Sequence, residues 1–121
     1  MIYLGDYSQG DTVYFKWHTT DANGASITRG DGGSSGSPDN GGEIRIYKND
    51  SLAQFGSPGG IDDITDFDDI TGVHHITIDT SADEFYEAGA DYQVVVVQAV
   101  IDGNTVSAVL AHFSIENRDA T

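Results

Sequence analysis

Cysteine is absent from all 121 residues, which removes a disulfide framework and any thiolate-held zinc or iron–sulfur centre, and leaves the redox compartment unread. Basic residues are nearly absent too. Lys16, Arg29, Arg45, Lys48 and Arg118 stand against 20 acids, for a net charge of -15 and a pI near 4.1. They are too few and too scattered to track a phosphate backbone, so no nucleic-acid partner is expected. Long apolar runs are missing: hydrophobic residues make up 38% and no stretch approaches the roughly 20 needed to cross a bilayer as a helix, so no membrane partner is expected either. The opening Met1-Ile2-Tyr3-Leu4-Gly5-Asp6 has neither the basic nor the long apolar stretch of a signal peptide, and no export is expected. Gly-x-Ser-x-Gly, a phosphate-cradling glycine loop before a helix, and His-Glu-x-x-His are all lacking, so no enzyme is expected. The length fits one domain, residues 1–121, without internal repeat or linker.

What is abundant is aspartate. Sixteen of the acids are Asp, mostly in segments that read as turns, where the short carboxylate bonds nearby backbone; a well-solvated surface follows, or adaptation to saline surroundings, given only two Lys. Strand periodicity dominates elsewhere. In Thr12 to His18, Val13, Phe15 and Trp17 share one face and Thr12, Tyr14, Lys16 and His18 the other; Glu43 to Lys48 and Val73 to Asp79 alternate in the same way. Weaker strand signals cover Ile2 to Leu4, Ala25 to Thr28 and Leu52 to Phe55. Tyr92 to Ile101 and Thr105 to Ile115 flank Asp102-Gly103-Asn104, which suits positive φ and predicts a hairpin. Ser81-Ala82-Asp83-Glu84 has capping-box spacing with Gly89 beyond it, predicting one short helical turn near 82–88. With no other helical period, two sheets must cover each other: the fold class is all-β, an antiparallel sandwich of about seven to eight strands. Gly30 to Gly42 reads as an open Gly/Ser loop. Gly56 to Gly72 reads as a loop with an apolar register of Ile61, Ile64, Phe67 and Ile70 that packs on the sandwich edge.

The final hairpin has apolar residues on both faces. Val94 to Val97 is continuously apolar, and Val106, Ala108 and Leu110 face opposite to Val109, Ala111 and Phe113. Either the chain's own loops cover the second face, or Val95, Val97, Val106, Ala108, Leu110 and His112 form an interface with a partner or a second copy of the chain.

Asp62, Asp63, Asp66, Asp68 and Asp69 are close enough together in sequence to offer oxygens to Ca²⁺, although the spacing fits no EF-hand and a solvated acidic loop competes with that reading; no other cofactor is indicated. The four His are at positions 18, 74, 75 and 112. His74 and His75 point to opposite faces of one strand and cannot chelate together, which leaves isolated surface or edge histidines. Arg29-Gly30-Asp31 spells an integrin-recognised tripeptide, a match short enough to arise by chance. Trp17, Tyr47 and Tyr86 are the aromatics available for sugar stacking, without forming an obvious cluster.

The segments Met1–Asp6, Thr12–Phe15, Asp21–Thr28, Ile46–Asn49, Phe67–His74, Asp83–Tyr92 and Ala111–Arg118 together resemble the N-terminal domain of structural proteins of tailed bacteriophages. More loosely the chain resembles the immunoglobulin-like sandwiches of phage surfaces, with Tyr92 at a tyrosine-corner position. The resemblance implies a non-catalytic virion protein, docked on capsid or tail proteins and located in the virion. As a complete chain it would be a capsid decoration or head-fibre module; as a fragment, the anchoring base of a fibre or baseplate protein. Homo-oligomerisation fits either. A tail or baseplate adhesion module, binding host glycan or receptor with or without Ca²⁺, is the alternative.

Overall fold

The computed structural model describes residues 2–31, 43–52, 54–56 and 60–116. Most of the predicted Gly/Ser loop at Gly30 to Gly42 lies outside them. The described residues form nine strands: β1 (Ile2–Tyr7), β2 (Thr12–His18), β3 (Gly30–Asp31), β4 (Glu43–Lys48), β5 (Gln54–Gly56), β6 (Ile61–Ile64), β7 (Val73–Asp79), β8 (Asp91–Ile101) and β9 (Asn104–Ile115). One sheet runs β1-β9-β8-β4-β5 with β3 beside the far end of β8, and the other runs β2-β7-β6. All pairings are antiparallel except one: β1 runs parallel to β9, a departure from the purely antiparallel sandwich expected.

The sheets bury one apolar core because each central strand alternates. Val13, Phe15, Trp17, Ile76, Ile78 and Ile61 come from the smaller sheet, and Ile44, Ile46, Tyr92, Val94, Val96, Ala111, Phe113 and Ile115 from the larger. No disulfide joins the sheets, so apolar burial and a few buried polar contacts hold them together. Ile101 pairs with Asn104 across Asp102 and Gly103, both at positive φ (52° and 76°), the geometry of a two-residue hairpin turn.

Tyr92 opens β8 and is fully buried. Its hydroxyl donates to the Phe85 carbonyl (3.0 Å) and accepts from the Glu87 N–H (2.7 Å), tying the preceding connection to the strand. This tyrosine corner and the strand order make the domain an immunoglobulin-like sandwich.

Three local expectations are corrected. No helix forms at 82–88, because Asp79 and Asp83 capture the backbone donors: Ser81 N–H bonds the Asp79 carboxylate (3.0 Å) and Phe85 N–H that of Asp83 (2.8 Å). The one helical element among the described residues is the 3-10 turn Phe67–Asp69. Ala25 to Thr28 contributes only an isolated bridge, Ser26 to Thr20. The expected loop Gly56 to Gly72 contains strand β6 on the smaller sheet; Ile61 is buried there, whereas Ile64 and Ile70 are exposed.

Candidate functional site

The Asp-rich segment is organised around internal contacts. On β6, Ile61 and Asp63 point inward, Asp62 and Ile64 outward. Asp63 is completely buried and forms an ion pair with Arg29, also buried, whose guanidinium sits 5.2 Å from the Trp17 ring. Two desolvated charges are tolerable here because they meet directly and the cation also faces an aromatic ring. Trp17 in turn lies opposite His74 in the β2–β7 ladder, with ring centroids 4.8 Å apart.

His74 is fully buried, which corrects the expectation of a surface or edge histidine. Its Nδ1 accepts from the Asp66 N–H (3.2 Å), so Nε2 carries the proton and donates to Thr19 Oγ1 (2.9 Å); the Thr19 hydroxyl in turn donates a hydrogen bond to the Ile27 carbonyl. Burial, with the nearby Arg29 charge, lowers the His74 pKa to about 4, so the ring is neutral at pH 7.

Asp66 accepts from the Gly72 N–H (2.8 Å) and the Thr28 hydroxyl, and its pKa is lowered by those bonds against the opposing effect of burial. Asp68 and Asp69 are exposed. The five carboxylates considered for Ca²⁺, Asp62, Asp63, Asp66, Asp68 and Asp69, are thus dispersed over an outward face, a buried ion pair, a turn and solvent. Among the described residues no three His, Asp or Glu side chains gather as a ligand set. Arg29 of the Arg-Gly-Asp tripeptide is consumed by its ion pair and is not displayed. Trp17 and Tyr86 belong to the core, leaving Tyr47, half-buried, as the accessible member of the sugar-stacking trio.

The second hairpin face gives a different result. Tyr92, Val94 and Val96 point into the core, so Gln93, Val95 and Val97 point outward, all half-buried. Across the sheet the outward residues form two central rows, Tyr47, Gln93, His112 and Tyr3 in one and Arg45, Val95 and Val109 in the other. Beyond the first, Asp91, Ser114 and Asp6 form a further outward row that carries two carboxylates. Tyr3 and His112 stack with centroids 4.7 Å apart, and Tyr3 and Val109 are 56% and 46% exposed. Within the 56–72 segment, Ile61–Ile64 is paired to β7 on the opposite sheet and so does not roof this face.

Two bulges redistribute the expected interface residues. β9 gains a residue at Leu110, between the pairs Val94/Ala111 and Val95/Val109, and β8 is irregular between Val96 and Ala99, where Gln98 adopts φ 62°. Val95, Val97 and His112 keep the outward positions expected of them. Val106 and Ala108 instead pair with Ala99 and Val96 and so share their side of the sheet, Ala108 remaining exposed and Val106 half-buried, while Leu110 packs against the core. Val109, assigned inward by simple alternation, takes the outward place. A period-2 count carries no information about an inserted residue, so Val109 is not among the expected interface residues.

No family model matches the chain, nor does any curated protein or solved structure.

Proposed function

We propose that the chain is a non-catalytic structural module of a tailed-bacteriophage virion that docks on capsid or tail protein through the outward face of its larger sheet. The observation that supports docking is the pair of central rows: seven side chains on four adjacent strands include no carboxylate, and the nearest outward acids, Asp91 and Asp6, stand on the next row beside Ser114. Such depletion of charge around aromatic and aliphatic side chains, with an arginine at the border, suits the centre of a protein–protein contact. The virion assignment rests on the resemblance of Ile46–Asn49, Phe67–His74, Asp83–Tyr92 and Ala111–Arg118 to phage structural proteins. On a symmetric particle many modest contacts act together, while the acidic remainder of the surface keeps particles apart.

Immunogold electron microscopy of purified particles tests the assignment. Regular label over the head supports a decoration role, label confined to the tail supports the fibre or baseplate form, and unlabelled particles of which the protein is no component refute the proposal.

A further inference from the structure

Strand β2 ends its sheet. It pairs with β7 on one side, and among the described residues no strand pairs with its other side. The direction of its backbone groups follows from two bonds: Thr80 N–H donates to the Asp11 carbonyl and Thr19 N–H to the Gly72 carbonyl. In an antiparallel ladder bonded residues alternate, so 11, 13, 15, 17 and 19 spend their backbone groups on β7. Thr12, Tyr14, Lys16 and His18 therefore direct N–H and C=O groups to the open edge. All four side chains are exposed, Tyr14 by 64%.

Most open edges of this length are guarded by charge. Here the whole strand, Thr-Val-Tyr-Phe-Lys-Trp-His, contains no acid and only one lysine. Lys16 is drawn toward its own sheet, 4.5 Å from the Phe67 ring centroid and 3.3 Å from His75 Nδ1.

We propose that β2 pairs antiparallel with β2 of a second copy of this chain, about a twofold axis at Phe15, joining two three-stranded sheets into one of six. The sequence selects this register. Bonded pairs must join even-numbered residues, and centring on Phe15 places Tyr14 against Lys16 and Thr12 against His18, using all seven positions. Centring on Tyr14 or Lys16 shortens the ladder, and the latter sets two lysines face to face. In the chosen register no two like charges stand directly opposite one another.

The net charge of -15 on each copy opposes association, so salt must strengthen it: the Debye length falls from about 10 Å at 0.1 M to about 3 Å at 1 M. Sedimentation equilibrium across a concentration series should show the apparent mass rising from 12.9 kDa toward twice that value, more readily at 1 M salt. Tyr14→Pro deletes an edge-facing donor in each copy without touching the β7 ladder, and should weaken dimerisation roughly 30-fold. Near-UV circular dichroism of Trp17 checks that this variant folds; if it does not, Lys16→Glu, which sets a carboxylate at each Tyr14 contact and adds repulsion, should abolish the dimer instead. A chain monomeric at all concentrations and both salts, a dimer weakened by salt, or a dimer indifferent to the folded substitution would each overturn the proposal.

Discussion

His74 illustrates how one side chain sets a property of the fold. Its ordinary pKa of 6.5 falls to about 4 in the folded state, whereas the unfolded chain takes up the proton near 6.5. The stabilisation is therefore complete above pH 6.5 and is lost as pH falls toward 4, amounting to on the order of 3 kcal/mol. His75, also lowered by burial and by Lys16, acts in the same direction. Thermal melts should show the melting temperature dropping over that window, and His74→Gln should flatten the slope; an unchanged slope would refute a neutral buried ring. Tyr92→Phe tests the corner. It strands the Glu87 N–H and the Phe85 carbonyl, and should cost about 1–3 kcal/mol in denaturant unfolding. The buried charges behave differently as a pair and singly. Arg29→Met alone leaves Asp63 uncompensated and should cost about 3–5 kcal/mol, while Arg29→Met with Asp63→Leu should recover much of that loss. A double variant no more stable than the single one would contradict this account.

At the level of elements, the sequence was most legible where side chains alternate without interruption. Thr12 to His18, Glu43 to Lys48 and Val73 to Asp79 form strands with those limits, and the last hairpin and its turn fall within a residue of expectation. Legibility failed where a backbone detail or a distant partner decides. An inward aspartate at position 63 disguises β6 as a loop, since hydropathy cannot reveal an arginine 34 residues earlier. Asp79 and Asp83 supply the donors' partners that a capping box would have claimed. The bulges at Leu110 and Gln98 exchange Val106 and Ala108 for Val109 on the outward face, so three of the six expected interface residues remain there.

Over the whole molecule, charge and shape divide the surface. The acids lie mainly on turns and connections, while the two central outward rows of the larger sheet and strand β2 are without them. These two regions belong to different sheets and adjoin at a pocket lined by Val109, Leu110, Ile2 and the β2 residues Lys16, Trp17 and His18. A sandwich that packs its core without disulfides tolerates a surface charge at Val109, already 46% exposed, and Val109→Glu should change stability by no more than about 0.5 kcal/mol. The most direct measurement is the copy number of the protein in particles assembled with Val109→Glu in place of the native chain. Near-complete loss of the folded variant from the particle is the predicted result; incorporation at the native level would contradict docking through this face.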